Sequence, residues 1–390
     1  MINSKPVSSY ITSILAIACG VIVANLYYAQ PLIATIGSAV NLPLALSGLT
    51  VTFTQIGYVF GLIFLVPLLD LVENRRLVLI TLIIAVLALI ASIISKNAAV
   101  FLSASIFIGL GTTATQILVP YSAYLSDEQH RGATVGKVMS GLLLGIMLAR
   151  PVSGIIAGTW GWQAVFLFSA VLTSILWLLL LKVLPKRQPV SGAAYGELIY
   201  SLWQIVSTTA ILRRRAFYQT CLFGAFSLFW TAVPLWLADN FGLSQHGVAI
   251  FSFVGVAGAV AAPIAGRLAD RKMTKPLTGA AVITATLSFL LTLMFMDFSI
   301  LSLFVLIICA ITLDMSVSGN LVLSQRIIYS LGDKVRGRVN GIFMAIFFIG
   351  GAVGSLLGSW SYSYGSWFMT ASIGAMISFI AFLYYLTEKS

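Results

Sequence analysis

The stretch Gly266-Arg267-Leu268-Ala269-Asp270-Arg271-Lys272 is a short charged segment between two long apolar runs. Its pattern recurs at an offset of 200 residues, because Asp70 also follows an apolar run and precedes a pair of arginines that open the next run. A second correspondence has an offset of 205 residues and matches Arg131-Gly132 to Arg336-Gly337. We therefore expect a tandem duplication of roughly 195 residues per copy.

The composition is that of an integral membrane protein. Hydrophobic residues make up 59% of the chain and charged residues 8%, with a mean hydropathy of +1.03, whereas about a quarter of residues are charged in soluble globular domains. The apolar runs are close to the ~20 residues that a helix needs to cross a bilayer, and they lack the strict alternation of a membrane β-barrel. Twelve such runs are predicted, at about 9–29, 46–69, 77–95, 99–125, 135–158, 163–184, 214–236, 247–266, 277–297, 299–325, 339–360 and 364–386.

These runs predict an all-α membrane protein with twelve transmembrane helices in two six-helix bundles that are related by a parallel repeat. The predicted boundaries are 1–185 for the N-terminal bundle, 186–212 for a cytoplasmic linker and 213–390 for the C-terminal bundle. Within the linker, residues 197–205 have the pattern of an amphipathic helix that lies along the membrane surface. Parallel repeats of this kind build secondary transporters, in which the solute binds between the halves.

The net charge of +11 is explained by topology. Threading twelve spans places 20 of the 22 Lys and Arg on the side of the two termini, all except Lys96 and Arg150. By the positive-inside rule, both termini are predicted to be cytoplasmic. The basic residues are therefore expected to face the lipid bilayer surface, and no nucleic acid partner is expected.

Enzyme chemistry and cofactors find no support in the motifs. Cys19, Cys221 and Cys309 all fall in apolar runs at no metal-ligand spacing, so neither a disulfide nor a metal site is expected. His130 and His246 lie outside the spans, and the chain has no Gly-x-x-x-x-Gly-Lys loop for nucleotide phosphates. We expect a protein that is not an enzyme, has no cofactor and is not driven by ATP.

Two charged residues are predicted to lie deep in the membrane. Arg150 stands in the fifth span, where its guanidinium needs an anion or a water-filled cavity because it cannot be neutralised in practice. Asp314 is the one carboxylate that the threading buries in a span, so it must be paired, hydrated or protonated. At 1.5 Å per residue, both lie roughly 20 Å from the cytoplasmic ends of their helices. Both are candidate proton-coupling residues that could meet at this depth, and for Arg150 a structural ion pair and a substrate anchor are open alternatives.

Further polar and aromatic residues at similar depth are candidate substrate ligands. Phe223, Phe226 and Trp230 share one face of a helix at this spacing, although a stripe of this kind also suits contact with lipid. Tyr28 is equally suited to anchoring the chain at the membrane interface. The predicted substrate-binding residues are Asn25, Tyr28, Gln55, Gln116, Arg150, Phe223, Phe226, Trp230, Asp314 and Asn320.

With twelve spans and a duplication, the chain resembles the major facilitator superfamily over essentially its whole length. The stretch 266–272 looks like the cytoplasmic loop signature that this superfamily carries between the second and third helices of a half. The first-half copy is degenerate, with Val66 and Pro67 where the glycine and its neighbour would be. The pattern from Gly145 to Gly158 around a proline is similar to the glycine-proline motif of the drug:proton antiporter group, except that Arg150 stands where that group usually has glycine.

The resemblance is closest to the bacterial efflux branch that exports drugs, sugars or nucleosides, through the stretches 25–31 and 336–341. It implies two bundles that rock about a central site lined by helices 1, 4, 7 and 10. Helix 4 has Ser105 where this group often has an arginine, and the first span has no acid. Because these two charged positions of the group are missing, we expect Arg150 and Asp314 to carry the proton coupling instead.

Loop charges at the cytoplasmic side are expected to act as gates, closing that side in one state by pairing across the bundle interface. The candidate gating residues are Asp70, Arg75, Arg76, Arg131, Asp270, Arg271 and Arg336.

Two transport functions follow as hypotheses for a monomer in the bacterial cytoplasmic (inner) membrane. The first is proton-coupled efflux, an antiport of a small organic solute against protons that bind Asp314. The alternative is uptake or facilitated passage of a small anionic metabolite held by Arg150, with Asp314 as its counter-ion. A third class is a sensor or scaffold that keeps the transporter fold without transport. The sequence shows no added soluble domain that would favour this class.

Overall fold

The computed structural model describes residues 9–127, 130–189, 194–270, 273–297, 299–331 and 336–388. Within these ranges all regular structure is helical, as predicted. Nine of the described helices are long and apolar enough to cross a membrane. One of them breaks at Gly365 and Ser366, where the backbone leaves helical geometry, and the shorter apolar helices Tyr10–Ala24 and Gln245–Val256 bring the described segments to twelve.

We number the spanning helices α1 to α12 in chain order. The first half contains α1 (Ser9–Ala24), α2 (Leu49–Phe60, prolonged by Gly61–Leu65 and Val66–Asp70), α3 (Asn74–Ile94), α4 (Ala98–Thr112 and Ala114–Leu125), α5 (Arg131–Trp160) and α6 (Trp162–Val183). The second half contains α7 (Ala210–Phe241), α8 (Gln245–Ser252 and Ala257–Asp270), α9 (Thr274–Met294), α10 (Ile300–Tyr329), and α11 and α12, the two arms of Arg336–Leu386. Between the halves lies a linker helix (Tyr195–Thr208), and between α1 and α2 lie the short helices Gln30–Leu32, Ile33–Ala39 and Leu44–Leu46.

Glycines allow two helix pairs, one in each half, to pack backbone against backbone. In the α1/α5 pair, a Cβ atom on Gly145 would stand 2.1 Å from the carbonyl oxygen of Gly20. In the α7/α11 pair, a Cβ atom on Gly354 would stand 2.0 Å from the carbonyl oxygen of Gly224. Helices approach this closely only where small residues face each other. The two halves therefore share the same close pair, which agrees with the sequence repeat.

The two halves are joined at the side opposite to the chain termini, which we call the far side. The backbone N–H of Gly48 donates to Ser359 Oγ at 2.9 Å, linking the entrance of α2 to α11. One turn deeper, Thr52 Oγ1 lies 2.9 Å from Ser355 Oγ. Since α2 enters the membrane from the far side, these contacts close that side between α2 and α11.

A second seam between the halves joins α5 to α8. A Cβ atom on Gly154 would lie 2.7 Å from the Cβ atom of Ala249, so the helices touch at a position that admits only glycine. Nearby, Gln245 Nε2 donates to the carbonyl oxygen of Pro31 at 2.8 Å. The far side is therefore sealed along both seams.

The linker helix contacts both halves at the terminal side. Tyr195 donates its hydroxyl proton to the carbonyl oxygen of Phe64 at 2.9 Å, which fastens the linker to the end of α2. Arg338, at the start of α11, donates to Ser201 Oγ at 2.9 Å. The helix buries Leu198 and Leu202 against the bundles, as its amphipathic pattern requires.

Candidate functional site

Arg150 and Asp314 meet between the two halves. Nη1 of Arg150, on α5, lies 4.0 Å from Oδ2 of Asp314, on α10. The residues are 2% and 3% exposed, so the pair is shielded from water. A separation of 4.0 Å is too long for a hydrogen bond, but opposite charges at this distance attract strongly in a low-dielectric interior. The two charges thus attract each other without a direct hydrogen bond between them.

A hydrogen bond from Gln30 orients the guanidinium. Arg150 Nε donates to Gln30 Oε1 at 2.8 Å. Gln30 opens a short 3-10 helix that begins just after α1 and turns its side chain inward. Among the residues that the structure describes, Arg150 Nη2 and Gln30 Nε2 are buried and have no hydrogen-bond partner. The centre therefore holds two buried donors with unused capacity.

Asp314 is positioned by Trp230 of α7. The indole Nε1–H of Trp230 donates to Asp314 Oδ1 at 2.8 Å. Gly255, in the turn between the two parts of α8, leaves the space that the ion pair occupies. A Cβ atom on Gly255 would stand 2.9 Å from Arg150 Nη1 and 3.0 Å from Asp314 Oδ2. Four helices and a turn thus meet at this one centre.

Aromatic rings surround the guanidinium. The Cζ atom of Arg150 lies 4.2 Å from the ring centroid of Trp230, 4.8 Å from that of Phe226 and 5.6 Å from that of Tyr27. Ring faces stabilise a cation at such distances, most strongly where water is absent. Ring faces and one hydrogen bond therefore add to the attraction of Asp314, and an incoming anion would find Nη2 without a partner among the described residues.

Further rings continue from the centre as an aromatic wall, defined as Tyr58, Phe223, Phe226, Trp230, Phe347 and Phe348. Phe226 stacks on Phe223 with centroids 5.4 Å apart and an interplanar angle of 16°. The ring centroids of Phe223 and Phe348 lie 4.9 Å apart, and those of Phe348 and Tyr58, which belongs to the first half, lie 4.7 Å apart. All six side chains are buried in the protein. This excludes contact with lipid for the predicted stripe on α7.

Gln55 contacts the other half, whereas Asn320 contacts α7 within its own half. Gln55 Nε2 lies 3.4 Å from Ser227 Oγ across the halves, and its Oε1 has no partner among the described residues. Asn320 Nδ2 donates to Gln219 Oε1 at 2.8 Å, while its own Oδ1 is unpartnered within the described part of the chain. Asn320 is six residues from Asp314 on α10, which places it roughly 9 Å nearer the terminal side.

The remaining predicted ligands have other contacts. Asn25 joins α1 to α6, because its Oδ1 accepts from Ser169 Oγ at 2.5 Å and its Nδ2 donates to the carbonyl oxygen of Ile22. Both of its polar atoms are thus hydrogen-bonded within the first half, and its role as a substrate ligand stays a prediction. Gln116 donates to the hydroxyl of Tyr58 at 3.0 Å and so supports the aromatic wall from behind. Tyr28 is buried, which excludes an exposed interfacial anchor.

The candidate gating residues of the first half make no ion pair with any described residue. Asp70 is exposed at the end of α2. Arg75 donates to the carbonyl oxygen of Leu181, and Arg131 Nε donates to that of Ala123 at 3.1 Å, both within the first half. Arg76 is exposed. The side chains of Asp270 and Arg336, and the whole of Arg271, lie outside the described residues.

Gln30 and Gly255 lie at this centre although the sequence prediction did not include them. Gln30 stands directly before Pro31, in the stretch 25–31 that carries the family resemblance. Its local signal in the sequence is an amide directly before a proline at the end of the first apolar run. Gly255 carries no side-chain chemistry, so only the packed structure shows that it makes room for the pair.

Comparison with known proteins settles the family. The model of the Major Facilitator Superfamily matches residues 15–330 and 216–390. The chain belongs to the major facilitator superfamily. It is therefore a multi-pass membrane transporter, and its relatives in this superfamily include bacterial proteins.

Two relatives illustrate the similarity. The uncharacterized transporter YgaY of Escherichia coli O157:H7 is 35% identical over 371 residues, which are 95% of this chain and 93% of that protein. The probable transporter SCO4007 of Streptomyces coelicolor is 30% identical over 279 residues, which are 70% of this chain and 64% of that protein. Membership of the drug:proton antiporter group within the superfamily stays a prediction.

Solved structures share the superfamily fold at low sequence identity. A bacterial homolog of the human lysosomal transporter Spinster, in an inward-facing and unoccupied conformation, has a TM-score of 0.78 and 14% identity, covering 100% of this chain and 99% of that one. The human organic anion transporter MFSD10 has a TM-score of 0.71 and 14% identity, covering 98% of this chain and 100% of that one. At this identity the likeness establishes the fold.

Proposed function

We propose that this transporter carries a small organic acid together with a proton, with Arg150 as the anchor for the acid and Asp314 as the proton-binding group. The observation that carries the proposal is the incomplete pairing of Arg150. Its Nη2 is buried without a partner among the described residues, and its Nη1 lies 4.0 Å from the counter-ion. A guanidinium binds a carboxylate best through two parallel hydrogen bonds, which this arrangement leaves available.

The sign of the coupling follows from charge balance. When the site is empty, ionised Asp314 balances Arg150. When an acid binds Arg150, the centre would hold one positive and two negative charges unless Asp314 takes up a proton. An unbalanced charge is costly in a dry interior. The acid and the proton therefore favour each other's binding, and both cross the membrane in the same direction.

Alternating access provides the transport step. Each half contributes one member of the pair, so rocking of one half against the other changes which side of the membrane reaches the centre. Here the far side is sealed by hydrogen bonds such as that between Gly48 and Ser359. Only the empty and the doubly loaded forms of the centre are neutral, and these are the forms expected to move between states.

Proton-coupled efflux is the second candidate, and the hydrogen bond from Trp230 to Asp314 favours it. A neutral or basic solute that donates a hydrogen bond to Asp314 would replace the Trp230 hydrogen bond. Alternatively, it would replace the electrostatic attraction between Arg150 and Asp314. Such a solute competes with the proton for one carboxylate, which produces exchange in opposite directions. The two candidates therefore differ in the sign of proton movement.

Flux in vesicles separates the candidates. Purified protein is reconstituted in vesicles that contain a pH-reporting dye, and organic solutes that do not cross protein-free vesicles are added outside. Co-transport of an acid acidifies the lumen, whereas exchange makes it alkaline. We expect acidification by the wild type, none by Asp314→Asn, and at least a tenfold higher solute requirement for Arg150→Lys, because lysine lacks the planar fork.

The matched control for the vesicle assay is Asp297→Asn, which makes the same chemical change in a loop outside the spans. It should acidify the lumen as the wild type does. Alkalinisation by a neutral or basic solute would replace the proposal with proton-coupled efflux. Solute movement without any proton movement would remove proton coupling altogether.

A further inference from the structure

We infer that Gln30 and Arg150 together form a two-donor clamp for the carboxylate of a flat aromatic acid, which makes Gln30 a specificity-determining residue. The inference rests on the proposed acid-binding function and adds a second ligand and a substrate class to it. The clamp consists of Arg150 Nη2 and Gln30 Nε2, which are both buried and without a partner among the described residues.

The orientation of the Gln30 amide is fixed by Arg150. The guanidinium has donors and no acceptor, so Gln30 must turn its oxygen towards Nε, as it does at 2.8 Å. Its Nε2 group then points away from Arg150 Nε and has only donors to offer. Gln30 is 0% exposed, so water at the protein surface does not satisfy this donor. Leaving such a group unpaired is unfavourable, and a bound acceptor would satisfy it.

Both unused donors belong to one hydrogen-bonded unit. They sit on side chains that the Nε···Oε1 bond holds together, one cationic and one neutral. Two donors beside a positive charge match the two oxygens of a carboxylate, which accepts several hydrogen bonds and carries no donor when ionised. An amide offers a single oxygen, and an amidinium offers only donors, so both are poorer partners for this unit.

The aromatic wall determines the shape of the remainder of the solute. Phe226 contacts the guanidinium with its face and stacks on Phe223, so ring faces continue from Arg150 to Phe223. Gly351 lies against Phe223, where a Cβ atom would stand 2.5 Å from the ring. Other rings surround Phe223, so the wall suits a planar body that stacks on aromatic faces. A solute with a carboxylate at one end and an aromatic ring at the other is an aryl carboxylic acid.

A matched set of probes tests the class of solute. Benzoate, benzamide and benzamidine have the same ring and carry a negative, a neutral and a positive head group. Their binding to the purified full-length protein is measured by titration calorimetry. We expect benzoate to bind at least tenfold more tightly than benzamide, and benzamidine to show no binding. Equal binding of benzoate and benzamide would overturn the clamp.

Variants test the role of Gln30. Gln30→Glu replaces Nε2 by an acceptor of the same shape and is expected to weaken benzoate binding at least tenfold. Gln163→Glu makes the same change at an exposed position on α6 and should alter binding less than twofold. Unchanged benzoate binding in Gln30→Glu would overturn the inference. If Gln30→Glu fails to fold by its thermal unfolding profile, Gln30→Asn, which shortens the side chain and withdraws Nε2, replaces it with the same expectation.

A third probe distinguishes failure of the inference from failure of the proposed function. Acetate has the same carboxylate and no ring. If acetate binds with proton uptake and benzoate does not, the aryl class is wrong and the acid-binding function stands. If neither acid binds and the vesicle assay shows exchange, both the clamp and the proposed function are wrong.

Discussion

Nη1 of Arg150 and Oδ2 of Asp314 lie 4.0 Å apart, with one residue on each half of the transporter. The gap leaves the ion pair without a hydrogen bond, while each partner has one elsewhere, Arg150 with Gln30 and Asp314 with Trp230. A pair held this loosely can be opened by a ligand or a proton at a smaller cost than a bidentate pair. The relationship therefore ties solute binding and protonation to the contact between the halves.

Gly255 gives a steric test of the pair. Gly255→Ala would place a Cβ atom within 3.0 Å of both charged groups, so the side chains must separate or the α8 turn must shift. Overpacking of this kind costs about 1–3 kcal/mol, and we expect acid binding to weaken by roughly tenfold. The matched control is Gly319→Ala on α10, whose new Cβ atom meets nothing closer than 3.8 Å. Equal loss of binding in both variants would contradict the role of Gly255.

The far-side seal can be locked covalently. Oγ1 of Thr52 and Oγ of Ser355 lie 2.9 Å apart across the halves, so sulfur atoms at these two positions would face each other. We expect Thr52→Cys combined with Ser355→Cys to form a disulfide under oxidation, to stop transport and to recover activity on reduction. Thr54→Cys with Ser355→Cys is the control, because Thr54 bonds within its own helix. Full transport by the oxidised Thr52/Ser355 pair would show that the seal need not open.

A partly buried ion pair at the terminal side is expected to matter for stability and not for transport. Arg215 Nη2 donates to Glu388 Oε1 at 2.6 Å, and the hydroxyl of Tyr218 donates to Glu388 Oε2 at 3.0 Å. Glu388→Gln should lower the free energy of unfolding by about 1–3 kcal/mol, since hydrogen bonds to a charge are lost. The melting temperature in detergent and solute flux in vesicles measure the two effects. Glu197→Gln, in the linker helix, should leave both unchanged.

Much of the fold could be predicted from the sequence. Apolar runs of bilayer length identify the spans, because the membrane imposes one length on every helix. The break at Gly365 and Ser366 falls at the start of the last predicted run. Helix rise placed Arg150 and Asp314 at one depth, so that they could meet, while the contact itself is visible only in the structure.

The finer contacts of the site depend on packing that the sequence does not display. Gln30 lies outside any regular span, and only the 3-10 turn after α1 directs it to Arg150. The partner of Asn25 is Ser169, 144 residues away on α6, and no local pattern links the two. A residue such as Gly255 contributes space, which has no signature in a single sequence. The positions of the helices could thus be predicted from the sequence, whereas the side-chain contacts are visible only in the tertiary structure.

The most direct test of the central claim is the number of protons exchanged when the acid binds. Calorimetric titration with benzoate, in buffers that differ in ionisation enthalpy, measures this number for the wild type and for Asp314→Asn. We expect the wild type to take up as much as one proton per acid bound, and Asp314→Asn to bind the acid with no proton uptake, because its neutral amide mimics the protonated carboxyl. Release of protons on binding, or proton uptake that persists in Asp314→Asn, would contradict the claim.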